Sequence, residues 1–215
     1  MLIEDELRTR WEQVLPRQPE LGEELIKRYA EPHRHYHGQD HLLAVLEAID
    51  RFATSDHDLF LVRLAGWFHD AVYEIPEREL TNEEASARLV VRRLQPAGLE
   101  IEDINQVARL VRLTTTHQVG PGDADGELLC DADLVVLGGT PEEYARYVAA
   151  VREEYAAVDD ERFWSARLEI LDELAATQLF RTGRGRKLVV QARANLDAER
   201  AELRQRLGLP EPDDA

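Results

Sequence analysis

The chain has 215 residues with a single cysteine, and its 43 acidic and 26 basic side chains give a net charge of −17. One cysteine excludes an internal disulfide or a thiolate metal cage, so the fold must rest on packing and any metal must take nitrogen and oxygen ligands. The negative field disfavours extended nucleic acid as a partner, yet allows a small phosphorylated molecule held by a metal and a few local arginines.

Apolar residues at spacings of three and four predict helices over about 4–15, 20–30, 39–53, 58–73, 82–95, 101–115, 127–137, 141–157, 160–177 and 185–207. No segment alternates as a strand does, so the expected fold class is all-α, an irregular helical bundle. Thr81 followed by Glu84, and Thr140 followed by Pro141 and Glu143, have the form of helix N-caps with a capping-box glutamate. Ile75–Leu80 and Val119–Asp125 read as loops. No repeat or low-complexity linker marks a boundary, so residues 1–215 are expected to form one domain. No run approaches the roughly 20 apolar residues of a membrane helix, and the first residues lack a basic then apolar leader, which predicts a cytoplasmic protein without a membrane partner.

Three segments carry chemistry. Arg34 to His41 places three histidines directly before an apolar helix, with His37 and His41 four apart and able to share a face if that helix begins near Gly38. Neutral imidazole is a common transition-metal ligand; surface histidines capping a helix are the competing explanation. Next, Leu64 to Tyr73 embeds His69 and Asp70 in an apolar helix, where an unpaired carboxylate costs several kcal/mol and so calls for a cation or dense hydrogen bonding. Finally, Leu128 to Leu137 contains Asp131 and Asp133, which point to different sides of a helix. One can face a site while the other caps the helix or meets solvent.

In order, these segments form the His…His-Asp…Asp pattern of the HD-domain superfamily. The stretches Tyr36-His37-Gly38 to His41, Phe68-His69-Asp70-Ala71-Val72-Tyr73-Glu74, Asn82-Glu83-Glu84-Ala85-Ser86-Ala87 and Asp131-Ala132-Asp133-Leu134 resemble the small bacterial HD proteins described as metal-dependent phosphohydrolases. The resemblance implies an HD-type helical domain with a motif core over about 29–140 and C-terminal helices over about 141–207 packed on it. It implies His41, His69, Asp70 and Asp133 as metal ligands, with Asp133 preferred to Asp131 because it follows a small residue and precedes an apolar one. His37 stands where distant relatives have a leaving-group proton donor, although Gly38 departs from their pattern. His117 takes a position used toward phosphate or toward a second metal. Glu74, Glu83, Glu84 and Asp131 are expected to support the ligands from behind.

The implied activity is hydrolysis of a phosphomonoester, phosphodiester or pyrophosphate, with a nucleotide as the expected substrate. The mixed ligands suit one divalent ion, Mn²⁺, Fe²⁺, Co²⁺, Ni²⁺ or Zn²⁺, with Mg²⁺ also allowed and a second ion admissible. Asp70 would accept a proton from the attacking water, and His37 or His117 would act as general acid. Arg34, Arg78, Arg112 and Arg109 are near enough in sequence to the motifs to be phosphate partners, and Arg181–Lys187 is a basic cluster for phosphate or subunit contact. Two alternatives stand: an HD-type diiron oxygenase recruiting His117, Glu74 and Asp131, and a non-catalytic nucleotide- or metal-binding regulator. The helices after Pro141 either supply a homodimer seam or complete the core.

Overall fold

The computed structural model describes residues 2–77 and 79–210; Arg78, one of the expected phosphate partners, lies outside the described residues. The protein is an all-α, irregular helical bundle, with ten α-helices and no strand among those residues. The helices are α1 (Ile3–Val14), α2 (Pro19–Tyr29), α3 (Gln39–Phe52), α4 (Leu59–Phe68), α5 (Asn82–Leu94), α6 (Ile101–Leu113), α7 (Ala124–Asp133), α8 (Pro141–Glu154), α9 (Asp160–Ala176) and α10 (Val189–Leu207). Short 3-10 turns, Leu134–Gly138 and Gly185–Leu188, follow α7 and precede α10. No helix among the described residues is long and apolar enough to cross a membrane.

Apolar side chains gather in two clusters. The larger comes from α1 to α7 and includes Leu42, Ile49, Trp67, Phe68 and Leu129, with Trp11 and Trp67 meeting edge to face at 5.1 Å. The smaller, around Tyr144, Leu171, Phe180 and Leu196, is built by α8, α9, α10 and the 3-10 turn after α7. Leu188 packs against both.

Several predicted boundaries shift, each for a local reason. The helix predicted over 58–73 stops at Phe68, because backbone groups that would continue it are bonded elsewhere: Asp70 N donates to Tyr29 Oη at 3.2 Å and Val72 N to Ser86 Oγ at 3.0 Å. His69 and Asp70 therefore sit in the turn after α4, not inside a helix. Asp123 accepts from Gly126 N and starts α7 at Ala124, shortening the predicted loop over 119–125. Thr140 and Glu143 form the expected capping box. Thr81 caps α5, but Glu84 does not complete a box; its carboxylate turns to Arg88 and Arg112.

Close approach of α3 and α4 brings the first two segments together. A Cβ on Gly66 of α4 would lie 2.7 Å from Ile49 Cδ1 of α3, a spacing only glycine leaves open without displacing that side chain. The same contact aligns the first turn of α3, which carries His41, with the residue following α4, which is His69.

Candidate metal centre and cleft

His41 and His69 meet through their Nε2 atoms, 3.0 Å apart. His69 Nε2 is 3.2 Å from Asp70 Oδ2 and 3.6 Å from Asp133 Oδ1. His41 Nε2 is 3.5 Å from Asp70 Oδ2 and 3.3 Å from Asp133 Oδ1. These atoms come from the start of α3, the turn after α4 and the last residue of α7. His69 Nδ1 is 2.8 Å from Gly66 O, so the proton belongs on Nδ1 and Nε2 offers its lone pair to the cluster.

A cation fits this donor set. Donors about 2.1 Å from a common centre stand about 3.0–3.4 Å from their neighbours in octahedral or tetrahedral shells, and the observed separations fall in or close to that range. The buried group His41, His69 and Asp70 can hold a metal ion, with Asp133 Oδ1 adjacent to both imidazoles.

Electrostatics agree. Burial opposes charge on His41, yet hydrogen bonds to Asp133 and Asp70 outweigh it and push its pKa up to about 9. His69 is raised as well, Asp70 and its neighbours overcoming burial. Burial would raise Asp70 and Asp133, but the surrounding imidazoles hold both below the ordinary carboxylate range. Two buried carboxylates thus demand positive charge, from protons or from a metal.

His37 precedes α3 by two residues, its ring 5.5 Å from that of His41. The shared helix face considered from the sequence does not form, because Gly38 is the N-cap. Glu154, the last residue of α8, holds His37 instead. Its Oε2 is 2.7 Å from His37 Nδ1, and its Oε1 accepts the backbone N–H groups of Tyr36 and His37, each at 2.8 Å. Burial resists ionisation of Glu154, but these bonds to His37 and Tyr36 keep its pKa low. His117 Nε2 is 2.8 Å from Asp133 Oδ2, and His117 adopts φ 53°, a left-handed conformation that costs a non-glycine residue about 1 kcal/mol or more.

A two-lobed cleft opens at this centre. One cavity of about 760 Å³ extends past Thr115, Gln118, Val136 and Thr177; the other, about 560 Å³, is walled by Tyr73, Tyr155, Phe163 and Glu83. His37, His117, Asp133, Tyr147, Arg167 and Ile170 line both.

Other expected site residues lie elsewhere. Arg34 is not among the residues lining the cleft: its buried guanidinium donates to the carbonyls of His37 and Asp70, at 3.1 and 2.7 Å, and so ties the segment before α3 to the turn after α4. Arg112 and Glu84 pair with each other at 2.6 Å on the surface, and Arg109 pairs with Asp123. Asp131 neither caps its helix nor meets solvent; it accepts the N–H groups of Arg181 and Thr182 at 2.9 and 2.8 Å, pinning the C-terminal segment to α7. A Cβ on Gly185 would fall 2.3 Å from Asp131 Oδ2, which requires glycine there. Glu74 is half-buried, its backbone held on both sides by Asn82. In the basic cluster, Arg184 and Arg186 donate to the carbonyls of Arg51 and Arg181, serving the connection into α10.

Sequence reading missed Glu154, Tyr147 and Arg167. A signal existed: Tyr147, Val151 and Glu154 share one face of α8, and Arg167 stands in phase with Trp164, Leu168 and Leu171 of α9. Charged residues on such apolar stripes are buried for a reason.

No protein-family model and no curated protein matches the chain. Among solved structures it is similar to YpgQ from Bacillus subtilis, determined in complex with ADP, at 16% identity and a TM-score of 0.48, with 86% of this chain and 97% of that chain covered.

Proposed function

We propose that this chain is a metal-dependent phosphohydrolase of the HD-domain superfamily acting on a small phosphorylated molecule, with a nucleotide as the favoured substrate. One observation carries the reading: the Nε2 atoms of His41 and His69, far apart in sequence, meet at 3.0 Å, and carboxylate oxygens of Asp70 and of Asp133 each lie 3.2–3.6 Å from both, at the junction of a two-lobed cleft. Those four residues would hold the ion, which when bound supplies Lewis acidity toward a phosphoryl oxygen and toward water.

The chain's own residues divide the remaining work. Glu154 engages His37 Nδ1, leaving Nε2 to deliver a proton to the departing oxygen as the phosphorus–oxygen bond breaks. Asp70, held well below the usual carboxylate range, is a weak base, so it orients the attacking water and the released proton passes to solvent. His117, which lines both lobes beside Asp133, would donate to a phosphoryl oxygen. The aromatic lobe around Tyr73, Tyr155 and Phe163 suits a planar ring, which favours a nucleotide over a sugar phosphate.

The diiron oxygenase reading loses Asp131, whose carboxylate is committed to the backbone at Arg181 and Thr182. The test is a metal-by-substrate screen over nucleoside mono-, di- and triphosphates, cyclic nucleotides and sugar phosphates, repeated with His69→Ala. Metal-dependent phosphate release lost in the variant supports the proposal. Two irons with oxidised diiron absorption, or metal binding without hydrolysis across the panel, would replace it.

A further inference from the structure

Arg167 stands in the middle of α9 with its side chain 9% exposed. Of the six residues common to both lobes of the cleft, it alone carries a permanent positive charge. Glu199 of α10 fixes it from behind, accepting from Nε at 2.9 Å and Nη2 at 3.2 Å. Its guanidinium lies over the ring of Tyr147, 5.0 Å from the centroid. Tyr147 packs on Tyr36 at 4.6 Å, and Tyr36 on His41 at 4.8 Å, so the arginine is braced against the candidate metal centre through two aromatic rings.

This arrangement is more than a core ion pair needs. Burying an arginine with a carboxylate is often no more stabilising than packing apolar residues in the same volume, so stability alone gives little reason to keep one at a cleft wall. Asp70, Asp133 and Glu154 make the surroundings acidic, and the chain carries a net charge of −17. An anionic ligand entering this cleft needs a fixed cation to offset that field. A guanidinium can satisfy one carboxylate and still present donors to phosphate oxygens, because its five N–H groups point along different edges of one plane.

We propose that Arg167 is the phosphate anchor of the cleft: it binds a phosphoryl group of the ligand where the two lobes meet, and Glu199 is its positioning residue. The proposal rests on the phosphohydrolase reading for the identity of the ligand, but its test does not depend on turnover. Substituting Arg167 alone would strand the Glu199 carboxylate in the interior, so the informative variant is Arg167→Met/Glu199→Gln, which removes both charges. It is compared with Glu199→Gln alone and with Arg167→Lys, which keeps the charge but loses the planar fork.

Binding of inorganic phosphate and of pyrophosphate to metal-loaded protein is measured by calorimetry, alongside metal content and steady-state kinetics. The expected result is at least a roughly tenfold loss of phosphate and pyrophosphate affinity in the double variant, smaller losses in Arg167→Lys, which lacks the planar fork, and in Glu199→Gln, which holds that fork less firmly, and unchanged metal content. KM should rise by a similar factor with a smaller change in kcat. Should the double variant not fold, Arg167→Lys decides by the same two measurements. Wild-type phosphate affinity and KM in the charge-free variant would overturn the anchor role and leave a structural ion pair. Wild-type protein that binds phosphate through Arg167 but hydrolyses nothing would overturn the phosphohydrolase reading while sustaining the anchor.

Discussion

Glu154 Oε2 lies 2.7 Å from Nδ1 of His37, 117 residues earlier, and the other oxygen of the same carboxylate accepts the backbone N–H of His37 itself. One buried side chain thus fixes both the ring and the main chain of the proposed proton donor. Glu154→Gln keeps the size but weakens the hold on the imidazole. It should lower kcat by about 10²–10³-fold, with metal content unchanged. Single-turnover kinetics with metal analysis checks this; wild-type kcat would remove His37 from the mechanism.

Glu154 also makes a pH prediction. Its folded pKa lies below the ordinary value of 4.5, the bonds to His37 outweighing burial. A depressed carboxyl stabilises the fold in full above about pH 4.5, and that contribution is lost as the pH falls through the lower folded value. Acid-unfolding curves of the wild type should therefore fall more steeply below pH 4.5 than those of Glu154→Gln. Parallel curves would contradict it.

Asp131→Ala should destabilise the protein by about 2–4 kcal/mol, since it orphans buried N–H groups at Arg181 and Thr182. Metal content should be unaffected in the folded fraction. Denaturant titration with metal analysis separates this from a ligand role, for which the metal would be lost.

His117 holds left-handed φ, which asparagine tolerates better than most residues. His117→Asn should keep wild-type stability while lowering kcat/KM by roughly 10–100-fold through loss of the imidazole beside Asp133. Thermal melts and steady-state kinetics test the two halves independently.

The helical character, most helix starts and the three segments that converge at His41, His69, Asp70 and Asp133 were legible in sequence, because apolar periodicity and a polar pair inside an apolar run both have direct energetic meaning. Asp131 and Asp133 could be separated by a helix's geometry into one site residue and one other, but the second role was misjudged: nothing local reveals that Asp131 meets backbone 50 positions later. Arg34 and Arg112 were weighed by nearness to the motifs, and sequence distance says nothing of where a long side chain points. Arg34 in fact closes on the carbonyls of His37 and Asp70, and Arg112 on Glu84. Glu154 and Arg167 were overlooked because a single charge on an amphipathic helix ordinarily faces water. Their phase with Tyr147, Val151 and Leu171 was the available clue.

Metal uptake supplies the most direct test. With His41 raised to about 9 by the neighbouring carboxylates, the metal-free centre carries at least one proton at pH 7 that a cation must displace. Chelator-stripped protein titrated with Mn²⁺ or Zn²⁺ in buffers of different ionisation enthalpy should take up about one ion per chain and release about one proton or more. His69→Ala should abolish both. Protein that contains no stoichiometric metal when purified without chelator, and acquires none in this titration, would contradict the account.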